Sequence, residues 1–201
     1  MKNIKFYIIE HNDNPVKIFF DTNQNSLFIF ENKKHYFVSH YNAKEEIEVF
    51  WVPIIFNEDL VKELVKFIEP ALINAGEMSE EPIELDENKI SLLESPICLE
   101  VNKCMYMKPK SIFEFVGSIF IKSIMGHKLI NGNKRFSLAF LILILRYFGY
   151  HLTWSKGEQK NYSFHKVKIE KFVEILEKDY NEGVRKVIEW ISNSCVIAIK
   201  F

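Results

Sequence analysis

One stretch concentrates the residue types that do chemistry. Between Gly126 and Arg135 stand His127, Asn131, Gly132, Asn133, Lys134 and Arg135, and the following run from Leu138 to Leu145 holds no polar side chain. Histidine exchanges a proton near neutral pH. Glycine lets a backbone approach a ligand closely. Lysine offers phosphate a point charge, and arginine offers it a two-pronged hydrogen bond. A helix that is apolar all round is a buried one. The polar loop therefore faces the N-terminus of a core helix, where unpaired N–H groups and a partial positive charge suit a phosphate. Phosphoryl transfer to a hydroxyl is the chemistry this set could perform. His127 would be the general base, Gly132 and Asn133 would supply backbone and amide donors, and Lys134 and Arg135 would neutralise charge. The plain alternative is a surface histidine followed by an ordinary basic helix start.

The stretch His127-Lys-Leu-Ile-Asn-Gly-Asn-Lys-Arg135 resembles the H-x-F-x-D/E/N-G-N-K-R motif of the Fic/Doc superfamily, on its Doc (death-on-curing) branch. Fic adenylyltransferases carry H-P-F-x-D/E-G-N-G-R-x-x-R instead. Lys134 stands at their second glycine and Leu138 at their second arginine, so both differences point to Doc. Ser91-Leu-Leu-Glu-Ser95 is similar to the G-L-L-E-S segment of Doc-like proteins, and Arg146-Tyr-Phe-Gly-Tyr-His-Leu152 to their L-R-x-N-G-Y-x-L helix end. The resemblance spans about Phe56 to about Asp179.

The resemblance implies a mainly α, Fic/Doc-like helical bundle. It implies transfer of a phosphoryl group, or less readily a nucleotidyl group as in AMPylation, from ATP or another nucleoside triphosphate to a protein hydroxyl. It also implies a toxin kinase acting on the translation machinery, a separate antitoxin protein that covers the site, and Mg²⁺. Asn131 occupies the position where many family members carry the carboxylate that binds Mg²⁺. Its carbonyl is neutral and a poorer ligand, so the metal would be held mainly through the nucleotide. Leu129 replaces the usual Phe and Phe136 the usual Thr. In the family, the segment matching residues 75–89 carries a flap that holds the target peptide. The self-inhibitory S/T-x-x-x-E-G/N helix of some Fic proteins has no match. Leu27, Ile83 and Lys178 stand where Ser or Thr would precede Glu31-Asn32, Glu87-Asn88 and Glu182-Gly183. Two competing readings remain. One is a catalytically weakened nucleotide- or protein-binding relative. The other is a Fic-like adenylyltransferase, which Lys134 and Leu138 disfavour.

The elements that must position these residues follow from periodicity. Residues 1–53 alternate β-branched and aromatic residues between turn-forming clusters, which predicts an antiparallel β appendage. Its runs are 4–9, 16–20, 26–30 and 35–39 as a four-stranded meander, with a fifth at 47–52. The helical domain is expected over 54–201. Asn57 is a good N-cap for a helix with Leu60, Val61, Leu64, Val65 and Ile68 on one face, which Pro70 ends or bends. Residues 75–89 read as an acidic, solvated loop, and 90–94 as a short helix before Pro96. Pro109 suits the first turn of a helix bearing Ile112, Phe115, Val116, Ile119, Phe120 and Ile124, which delivers His127 at its end. Gly149 is a natural helix stop. Two amphipathic stripes follow, through Ile169, Phe172, Val173 and Leu176, and through Val184, Val187, Ile188 and Ile191.

Composition limits the remaining possibilities. The 201 residues are 48% hydrophobic, enough for a sizeable core, and the formal net charge is −1. With no long basic block, direct nucleic-acid binding has little support. The start Met-Lys-Asn-Ile-Lys lacks the apolar run of a secretion signal, and no apolar stretch is long enough to span a membrane, so a cytoplasmic protein is expected. Cys98, Cys104 and Cys195 lack metal-site spacing and read as idle thiols.

Overall fold

The computed structural model of the chain describes residues 5–9, 18–21, 26–31, 34–38, 44–52, 54–79, 83, 91–109, 111–152 and 162–197. The N-terminal strands are β1 (Lys5–Ile9), β2 (Ile18–Asp21), β3 (Ser26–Glu31), β4 (Lys34–Val38) and β5 (Lys44–Val52), in the spatial order β1-β5-β4-β3-β2. Strands β2 to β5 pair antiparallel with their sequence neighbours, placing Ile18 opposite Ile29, Leu27 opposite Val38 and His35 opposite Ile47. Strand β1 departs from this pattern. It runs parallel to β5, from Lys5 opposite Glu48 to Ile9 opposite Val52.

The expected antiparallel N-terminal β appendage is therefore corrected to a mixed sheet, and its meander is β2–β5 rather than the first four runs. The physical reason is that alternation reports the period of a strand but not the direction of its partner. A parallel neighbour needs a long connection, and β2–β4 lie between β1 and β5 to provide it. Strands are not confined to the N-terminal region either. The three-residue strands β6 (Tyr150–Leu152) and β7 (Cys195–Ile197) pair antiparallel, and β2 lies beside β7.

Seven helices occur among the described residues. Helix α1 (Glu58–Val65) starts where Asn57 accepts a hydrogen bond from the Leu60 N–H at 3.0 Å. The break expected at Pro70 falls earlier, at residues 66–67. Pro70 sits in the first turn of α2 (Ile68–Glu77), where a missing N–H costs nothing, and Gly76 lies inside that helix rather than in a loop. A 3-10 turn over 91–93 leads into α3 (Ser95–Tyr106), with Pro96 again in the first turn. Helix α4 (Ile112–Met125) is capped by the Ser111 hydroxyl, which accepts from the Glu114 N–H at 3.2 Å. Helix α5 (Asn133–Tyr147) is buried continuously from Arg135 to Leu141.

The chain turns after α5 at Gly149, whose φ of 86° a β-carbon would disfavour. Helices α6 (Tyr162–Lys178) and α7 (Tyr180–Ser194) carry the two amphipathic stripes. They approach closely because Gly183 presents no side chain to Leu176. Helix α5 packs against α2, α4, α6 and β6, and α4 packs against α3 and α7. Phe115, Phe120, Phe136, Phe140 and Phe148 are fully buried in that core. Burying each such side chain contributes about 1.5–3 kcal/mol. This packing fixes the end of α4 and the start of α5, and so the two ends of the loop between them. Among the described residues no helix is long and apolar enough to cross a membrane.

Candidate functional site

The loop leaves α4 at Gly126, whose N–H donates to the Lys122 carbonyl at 3.0 Å. His127 follows with φ 43°, the only positive φ among the described non-glycine residues. Its side chain is exposed and bonds to no described residue. Left-handed backbone in a non-glycine residue is uncommon, though histidine tolerates it better than most. Leu129 then anchors the loop in the core. Ile130 is exposed and Asn131 is half-buried.

Gly132 precedes α5 with φ 94° and offers no side-chain cap. Its carbonyl accepts the Phe136 N–H at 2.9 Å, which begins the helix. The first-turn N–H groups of α5 therefore have no side-chain acceptor from the capping position. Asn133 engages the loop's own backbone. Its amide oxygen accepts the Leu129 N–H at 2.9 Å, and its amide nitrogen donates to the Leu129 carbonyl at 2.7 Å. That two-way clamp sets the shape of the loop and takes up one of the two amide N–H donors that the sequence assigns to phosphate. The Ser137 hydroxyl donates to the Asn133 carbonyl at 2.8 Å, tightening the same turn.

The two cations also have surroundings of their own. Lys134 Nζ lies 3.0 Å from Glu170 Oε1 of α6, with both side chains about 38% exposed. Arg135 is buried, and its Nη2 lies 3.5 Å from the point where a β-carbon on Gly132 would stand. Ile83 reaches the same point. Its Cδ1 lies inside the 3.0 Å that real β-carbon contacts essentially never breach, and its Cγ1 is at 3.5 Å. Gly132 thus admits a close approach, as expected, and the group that makes it is Ile83. Phe136 is buried and stacks on Phe140, with centroids 5.5 Å apart and planes 12° from parallel, so it belongs to the core.

Sequence reasoning did not find Ile83 or Glu170 as neighbours of the loop. Ile83 carries a faint signal, since it and Leu85 are the only aliphatic residues between Met78 and Ile90. Glu170 carries none, because 36 residues separate it from Lys134. A second polar cluster was also missed. Glu100 of α3 is buried and accepts hydrogen bonds from Ser118 at 2.6 Å, Lys103 at 3.2 Å and Lys122. Burial pushes the Glu100 carboxyl up, but hydrogen bonds from Lys122 and Ser118 and the Lys122 charge outweigh it. The carboxyl is held below its ordinary value. Cys104 beside it is pushed up to about 12 by burial and by the Glu100 charge, which makes it an inert thiol.

No group of three or more His, Cys, Asp or Glu among the described residues could hold a metal ion. Among the described residues Asn131 has no carboxylate partner, and Glu170 is engaged by Lys134. Magnesium needs only one or two protein oxygens when a nucleotide's phosphates supply the rest. Comparison with known proteins finds no matching family model, no matching curated protein and no matching solved structure.

Proposed function

We propose that the chain is a Doc-like protein transferase that moves a phosphoryl group, or less readily a nucleotidyl group, from a nucleoside triphosphate such as ATP to a protein hydroxyl. One observation carries this reading. The loop between two buried helices has an exposed, left-handed His127 at one end and the side-chain-uncapped first turn of α5 at the other. In this reading the N–H groups of Asn133 and Lys134 and the guanidinium of Arg135 hold the phosphates. Asn133 keeps the loop in shape through its amide, and Lys134 contributes charge once it releases Glu170. His127 takes the proton of the incoming hydroxyl. Mg²⁺ would arrive with the nucleotide's own phosphates, with Asn131 at most a weak neutral contact. The motif resemblance supports a toxin acting on the translation machinery, restrained by an antitoxin, in the cytoplasm.

A second reading has its own observations. Lys134 is paired with Glu170 and Gly132 is covered by Ile83, as expected of a nucleotide- or protein-binding relative without turnover. Incubation of the purified chain and a cell lysate with γ-labelled and α-labelled ATP separates these readings. Label on protein from γ alone supports phosphoryl transfer, and label from α supports nucleotidyl transfer. No label from either, with the chain folded, favours the binding protein.

A further inference from the structure

We propose that Ile83 is a built-in competitor for the ligand of the Gly132 loop, so that a phosphate reaches the first turn of α5 only after Ile83 has left. This rests on the reading of that loop as a phosphate site, and it adds a regulatory contact to it. Gly132 has the φ of 94° that favours glycine, and it exposes its α-carbon on the side where a β-carbon would stand. That side is filled. Ile83 Cδ1 occupies it, with Arg135 Nη2 3.5 Å from the same point. A methyl group and a buried guanidinium therefore converge where a phosphate oxygen would meet both the backbone and Arg135. The two occupants exclude each other. A phosphate oxygen against a methyl group lacks a donor on that side, which disfavours the charged group.

Ile83 is suited to competing without sealing the site permanently. It packs against the core but is only half-buried, so it is not locked inside the core. A ligand whose site is occupied by the protein's own side chain binds more weakly, by the fraction of molecules in which the site is open. Truncating a half-buried isoleucine to alanine should raise that fraction, and with it the affinity, by about tenfold.

The test is calorimetric titration of the full chain with Mg·ATP, and with inorganic tripolyphosphate, in wild type, Ile83→Ala, Ile83→Val and Ile83→Leu. The expected result is about tenfold tighter binding in the alanine variant, a smaller gain in the valine variant and little change in the leucine variant. The alanine variant should also melt at a lower temperature without ligand and gain more on adding it. Should alanine prove poorly folded, the valine–leucine comparison gives the same reading. Binding by the truncated variants alone would support the proposal further. Equal or weaker binding in Ala and Val, with wild type binding, overturns the role of Ile83 but leaves the phosphate site intact. Absence of binding in every folded form overturns both.

Discussion

The Glu100 cluster and the loop from Gly126 to Arg135 both gather charge around α4, and they use it differently. Glu100 is buried, and its carboxylate is met by Ser118, Lys103 and Lys122 from two helices. The cluster ties α3 to α4 and leaves the carboxylate no open side. In the loop, Asn133 and Lys134 are likewise satisfied from within the protein, but His127 projects into solvent from a sparsely populated backbone conformation. A buried, fully partnered charge holds structure, and leaving it unpaired is costly. An exposed titratable group on a rigidly clamped loop adds little stability. The contrast teaches that charge density alone does not mark a site.

Substitutions should separate the two regions by size of effect. Glu100→Ala strips a buried anchor from Lys122 and should cost about 3 kcal/mol in denaturant unfolding. The sign with pH follows from its lowered pKa. The stabilisation is complete above the ordinary carboxylate value of about 4.3 and is lost as pH falls through the lower folded value. Wild type should thus lose stability on acidification more steeply than Glu100→Gln, and identical acid profiles would show that Glu100 is not a tie. Asn133→Ala removes both hydrogen bonds to Leu129 and should cost about 2 kcal/mol. Faster amide hydrogen exchange at Leu129 would report the loosened clamp, and unchanged exchange would mean the loop holds its shape without it.

Gly132→Ala forces a β-carbon into the Ile83 position at a φ that alanine resists, costing about 1–3 kcal/mol. A neutral outcome in thermal melting would contradict the left-handed backbone at Gly132. The smallest effect belongs to the Lys134–Glu170 pair. Being partly exposed, it should contribute only about 0.2–1 kcal/mol in a double-mutant cycle. Glu170→Gln should nevertheless tighten Mg·ATP binding by freeing Lys134, and weaker binding would place Lys134 outside the phosphate site.

Much of the helical frame was legible because its signals are local. The Asn57 cap, the apolar faces of α4 and α5, the turn at Gly149 and the stripes of α6 and α7 all follow from spacing within one element. Helix α3 was missed because the expected short helix was placed before Pro96, whereas proline in a first turn marks a start. The parallel pairing of β1 with β5 was illegible, since alternation looks the same for either direction of partner. The strands β6 and β7 are too short to show a period. In the loop, the residue types and the close approach at Gly132 could be read. The way Asn133, Lys134 and Gly132 are occupied could not, because an amide, a cation and a bare α-carbon look alike whether they await a ligand or already serve the fold. Glu170 and Ile83 reach the loop only through tertiary packing.

The account stands on His127 as the working group of a loop that binds phosphate. Its most direct test is the initial rate of γ-phosphate transfer from Mg·ATP to protein, wild type beside His127→Ala, with nucleotide affinity measured on the same preparations. The account predicts transfer by wild type, a loss of about 10²–10⁴ in the variant, and nearly unchanged affinity and melting temperature. Equal transfer rates in the two proteins, or no transfer by a wild type that is folded and nucleotide-bound, would contradict it.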